Sequence, residues 1–137
     1  MAYKINKVVL KWEGPKVSRR LNAGVKRGVE EAARLIVAEA IRSILHDPKT
    51  GRIYGGHQAS APGEAPANWR GELVAGFSIE MKGNRAIIRN RAPHASMLEL
   101  GTSRMAARPY LLPAMMQMQK AAQRTIARAI KKELAER

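Results

Sequence analysis

The chain contains no cysteine, so disulfide bridges and thiolate metal sites are excluded. Aromatic side chains are nearly as scarce: two Trp, three Tyr and one Phe make 4% of 137 residues. That is too few for the stacked platforms that hold unpaired bases, and it obliges the interior to be built from Ala, Leu, Ile, Val and Met. No stretch approaches the roughly 18 apolar residues of a membrane span, and the first twelve residues lack the apolar core of a signal peptide. A soluble, cytoplasmic chain with no membrane partner is expected. The histidines, His46, His57 and His94, stand at no spacing that puts two ligands on one helical face, so neither metal nor cofactor is expected. Ser60 and Ser103 lie outside any Gly-x-Ser-x-Gly elbow. Gly55, Gly56 and Gly63 are not followed by the Gly-Lys-Ser/Thr of a phosphate loop. His94 and Glu99 flank a short helical stretch and could meet, but a lone His-Glu pair is more often a surface contact than an acid-base couple. The chain is therefore not expected to be an enzyme.

Acidic residues are few as well, 11 against 25 Lys and Arg, a net charge of +14. A field of that sign speeds encounters with any polyanion, DNA or acidic protein, and equally serves solubility. Lys120, Arg124, Arg128 and Lys131 recur at steps of four, four and three, which on a helix forms one basic stripe, a candidate polyanion contact. A solvated helix face accounts for the same pattern. A small basic DNA-binding protein is accordingly the alternative functional reading.

Length suits one ordinary domain over residues 1–137. Tyr3 to Trp12, rich in β-branched and aromatic residues, reads as a strand that Gly14-Pro15 ends. From Lys16 to about His46, Leu21, Val25, Val29, Ala32, Ile36, Ala40 and Ile44 mark one face of a long amphipathic helix. Asp47-Pro48 closes it, because proline drives the preceding residue out of the helical region. Gly24 and Gly28 each weaken this helix by about 1 kcal/mol relative to Ala; simple tolerance of two glycines is the readier account, and close approach of another backbone, four residues apart, is the alternative. Residues 47–70 are dense in Gly and Pro and show no period. A structureless loop of that length is usually functional or disordered, so a flexible loop or arm is expected there.

Phe77 to Lys82 alternates, Gly83-Asn84 supplies a turn and Ala86 to Arg89 resumes an apolar run, a β-hairpin whose second strand should be the more buried. His94 to Leu100 can form a short helix that Gly101 caps, and Thr102 to Pro109 should be extended. Met115, Met118, Ala122, Ile126, Ile130 and Leu134 then mark a second long amphipathic helix, with Pro113 at its opening. Met115, Met116 and Met118 read as core, the default at this spacing, or as an adaptable contact surface against another subunit. Leu111, Leu112 and Met116 widen the apolar stripe beyond what one chain needs. The predicted class is α+β, a small antiparallel sheet packed with two long amphipathic helices, N-terminal and C-terminal, and a long Gly/Pro-rich loop.

Three blocks carry a resemblance. Ser60-Ala61-Pro62-Gly63-Glu64-Ala65-Pro66-Ala67 leads to Gly71-Glu72-Leu73 and Phe77-Ser78-Ile79. Ala92-Pro93-His94-Ala95 leads to Leu98-Glu99-Leu100-Gly101-Thr102, and Met105-Ala106-Ala107-Arg108-Pro109-Tyr110-Leu111-Leu112-Pro113-Ala114 follows. In this order they resemble the signatures of the small tail-component proteins of long-tailed bacteriophages, the tail-completion, neck or head-tail joining proteins. His94, Ser96 and the Trp69-Arg70 pair depart from that family's usual residues. The resemblance implies a non-enzymatic virion protein of a phage or prophage, assembled in the bacterial host cytoplasm. It implies a homo-oligomeric ring at the tail or head-tail junction, beside other neck, connector or tail proteins, with non-specific DNA contact in the conduit. It also singles out Pro62, Gly63, Glu64, Pro66, Glu99, Gly101, Thr102, Arg108, Pro109 and Pro113 as structural or interface residues. Glu99 and Arg108 are candidates for an ion pair, with solvation of both as the alternative.

Overall fold

The computed structural model describes residues 14–68 and 70–136; the strand expected over Tyr3 to Trp12 lies outside them. Helix α1 (Gly14–His46) and helix α4 (Leu111–Ala135) are the two long elements. Between them come β1 (Ile53–Tyr54), β2 (His57–Gln58), the single turn α2 (Glu72–Ala75), β3 (Phe77–Lys82), β4 (Arg85–Asn90) and α3 (Ala95–Leu100). The strands make two separate antiparallel hairpins, β1 with β2 and β3 with β4. This is the expected α+β class, two long helices with a small antiparallel strand set.

The helices run antiparallel and very close. A Cβ built on Gly28 would sit 2.7 Å from the Ile126 Cα, and one on Gly24 2.9 Å from the Ile130 Cα. The two glycines therefore buy close approach of the backbones, and the penalty of glycine in a helix is offset by contact that a side chain would prevent. Ala129 of α4 packs against both glycines, and Ala32 and Ala33 of α1 and Ala114 of α4 are buried as well. Arg27 closes it with a 2.6 Å ion pair to Glu133.

At the other end of the stack lies the main core: Ala40, Ile44, Leu73, Ala95, Tyr110 and Ala114, with Ile36, Phe77 and Leu98 packed around it. The scarce aromatics are spent here. Phe77 and Tyr110 meet edge to face at 5.8 Å and 78°, a geometry the ring quadrupoles favour. The Tyr110 hydroxyl donates to the Ala95 carbonyl at 3.2 Å, and burial together with Glu99 pushes its pKa up to about 12.

Several expectations need correction. No residue of β3 or β4 is fully buried, so the second strand is not the deeper one; the hairpin covers α1 from one side only. Leu21, Met115 and Leu134, placed on the buried faces by periodicity, are exposed, because glycine and alanine form the closest line of contact instead. Residues 102–109 are not simply extended: Thr102 and Met105 bond each other's backbones in a tight turn. Gly101 does take a positive φ of 75°, but its ψ of 175° leads the chain straight on and not into a left-handed cap. A Cβ there would lie 2.8 Å from the Ala107 nitrogen, so the position has no room for a side chain.

Candidate functional site

The three sequence blocks meet at one junction, built on the opening of α4. A helix start leaves its first backbone N–H groups without partners. Here the Glu99 carboxylate, delivered from α3, accepts from Tyr110 N at 2.8 Å, Leu111 N at 3.0 Å and Leu112 N at 2.9 Å. The next residue is Pro113, which has no N–H to satisfy. One carboxylate and one proline thus complete the helix start, with the negative charge at the positive end of the helix dipole.

This corrects the expected ion pair. Arg108 reaches the opposite way, its Nε donating to the Ser60 carbonyl at 3.1 Å, while its backbone N–H bonds Leu98 O at 2.7 Å. Arg108 therefore clamps the first block onto the third. Gly63 N adds a bond to Ala107 O at 3.1 Å. Ser60, at 5% exposure, and Pro66 are buried beneath this clamp.

Within the first block Glu64 is the organiser. Its carboxylate accepts from Thr50 N at 2.9 Å and Ala61 N at 2.8 Å, and from the Thr50 hydroxyl. These hydrogen bonds hold it below the usual carboxylate range, the Thr50 hydroxyl contributing most. Lys49 donates to the Ser43 carbonyl at 2.8 Å near the end of α1, and its partial burial lowers its pKa. Residues 47–70, read from the sequence as a structureless loop, thus hold a small hairpin and a docked segment. What projects is the hairpin, with Ile53 65% and Tyr54 55% exposed.

Of the residues singled out by sequence, Gly63, Glu64, Pro66, Glu99, Gly101, Arg108 and Pro113 build this junction. Pro62 is exposed. Thr102 turns the chain, its Oγ1 accepting from Arg104 N at 3.2 Å. Pro109 and Pro113 line a cleft of about 270 Å³ with Glu64 and Gln117. Sequence reasoning missed Thr50, whose partner is 14 residues away, and Asn90, whose amide donates to Leu73 O at 2.7 Å and accepts from Ala92 N at 2.9 Å. Polar residues in long-range contacts leave no periodic signal. Among the described residues no group of three or more His, Asp or Glu is placed to hold a metal.

Two further surfaces stand apart from the junction. One is an apolar groove of about 370 Å³ lined by Ile36, Leu112, Met115, Met116 and Ile126, with Leu112 57% and Met116 68% exposed. The other is basic: Lys120, Arg124, Arg128 and Lys131 are all exposed along α4. They are not brought to the junction. No family model, curated protein or solved structure matches the chain.

Proposed function

We propose that the chain is a structural virion subunit of a tailed phage or prophage, part of the neck or tail-completion ring that joins tail to head, without catalytic activity. One observation carries the reading beyond the sequence resemblance. The exposed apolar side chains among the described residues include two unlike, separate surfaces, the Ile53/Tyr54 hairpin and the groove of Ile36, Leu112 and Met116. A closed ring needs a heterologous, head-to-tail contact between two different patches of one chain. The projecting hairpin of one copy and the groove of the next supply such a pair. The meeting of all three resemblance blocks at a rigid junction supports the same reading, because that junction fixes the direction in which the hairpin projects.

The test is solution mass by light scattering across a concentration series, on wild type and on two variants: Ile53→Asp/Tyr54→Asp and Leu112→Asp/Met116→Asp. Wild type is expected to give a discrete ring-sized species and each variant a monomer. An equimolar mixture of the two variants retains one good hairpin and one good groove, so it should give dimers and nothing larger. A monomer at every concentration, with no dimer in the mixture, overturns the reading.

A further inference from the structure

The antiparallel register of the long helices gathers positive charge at one end of the molecule. Gly24 and Gly28 of α1 lie against Ile130 and Ile126 of α4, so the first half of α1 stands beside the last part of α4. The first half of α1 carries Lys16, Arg19, Arg20, Lys26 and Arg27 with no carboxylate from Gly14 until Glu30. The neighbouring part of α4 carries Arg124, Arg128, Lys131 and Lys132. The tip of the β3–β4 hairpin comes to the same end, its Asn84 amide reaching Asn22 at 3.5 Å, and brings Lys82 and Arg85.

Of these cations only Arg27 has an ion pair among the described residues. The other ion pairs among the described residues, Arg34 with Glu30, Arg42 with Glu39 and Asp47, and Arg89 with Glu80, involve none of these cations. α1 also has no acid in its first turn, so the cations there reinforce the positive end of the helix dipole and do not offset it. Clustering of like charge opposes the compact state. A surface that repels itself in this way is complementary to a polyanion.

We infer that this end of the helix pair, with the α4 stripe Lys120, Arg124, Arg128 and Lys131 as its spine, binds the phosphate backbone of duplex DNA without reading sequence. Geometry favours a long, regular partner. From Lys120 to Lys131 the stripe takes 11 steps of the helix, about 16 Å at the helical rise, over which duplex DNA presents on the order of ten phosphate charges. The four side chains fall within roughly 80° of arc at the helical twist. At the helical twist they lie on the side of α4 away from the α1 seam, and all four are exposed among the described residues. The scarcity of aromatics argues against single strands, which need stacking platforms. The inference stands independently of ring assembly, since it concerns a surface distinct from hairpin and groove.

The experiment is fluorescence anisotropy of a labelled random-sequence duplex with the full chain from 50 to 200 mM salt. Four phosphate contacts predict a log-log slope near −4 and a loss of affinity on the order of 100-fold over that range. Substituting Lys120, Arg124, Arg128 and Lys131 together by Gln should flatten the slope by about one per contact removed. A control substituting Arg52, Arg70, Arg91 and Arg104 by Gln changes net charge equally at the far end and should keep the slope. All eight positions are exposed, and circular dichroism verifies the fold of each variant. No binding at the lowest salt, or equal loss in control and stripe variants, overturns the inference; binding of an acidic protein without binding of DNA does so as well.

Discussion

Replacing Glu99 by Ala removes the acceptor for three backbone N–H groups at the start of α4. A single-bond N-cap contributes about 0.5–2 kcal/mol, and a carboxylate at a helix N-terminus adds about 0.3–1 kcal/mol through the dipole. Glu99 is half-buried and the Leu112 N–H is near solvent, so water recovers part of what is lost. The three bonds are therefore not additive, and a loss of about 2–3 kcal/mol is expected. For a chain of this length each kcal/mol lowers the melting temperature by about 3–5 °C, so Glu99→Ala should melt roughly 6–15 °C below wild type. Glu99→Gln keeps one acceptor oxygen but loses the charge and turns an amide donor toward the same N–H groups. It should lie between the two. The assay is thermal melting by circular dichroism with urea titration to confirm the free-energy difference. A loss within the roughly 0.5 kcal/mol typical of plain surface substitutions would refute the capping argument. So would Gln equalling wild type.

Gly28→Ala sets two effects against each other: about 1 kcal/mol gained from helix propensity and about 1–3 kcal/mol lost to overpacking against Ile126. A net destabilisation near 1 kcal/mol is expected by urea titration, and a stabilised variant would mean the helices are not this close. Tyr110→Phe frees the buried Ala95 carbonyl and should cost about 1 kcal/mol. The same tyrosine, raised to about 12 in the fold against roughly 10 unfolded, favours the folded state's neutral form. Stability should fall as pH rises above about 10, and Tyr110→Phe should lessen that alkaline decline. Glu64 has the opposite sign: its folded pKa is depressed, so its stabilising effect is complete above the ordinary Glu value near 4.3 and vanishes as pH falls through the folded value. The difference in urea midpoint between wild type and Glu64→Gln should thus close on acidification, and a difference that widens would contradict the hydrogen-bonding account.

Periodicity made the long helices legible, and Asp47-Pro48 marked where the first one stops at His46. It misjudged depth, because counting apolar side chains favours Leu21 and Met115 whereas the closest contact runs through glycine and alanine. The candidate site was legible as a set of residues and not as an arrangement. Glu99 and Arg108, of opposite charge and nine apart, suggested each other; in the fold each instead binds backbone from a different block, which unpaired helix-end amides and a loop carbonyl make the better partners.

What the sequence by itself determined is local: the helical stretches, the hairpin turn at Gly83-Asn84, the proline at the opening of α4, and the excess of positive charge. These follow from short-range sterics and from composition. Only the tertiary structure decided that Gly24 and Gly28 serve a backbone seam, that three separated blocks share one junction, and that the cations of α1, α4 and the hairpin tip gather at one end. Each of these depends on the antiparallel register of two helices, and that register is set by close packing between residues about a hundred positions apart in the chain.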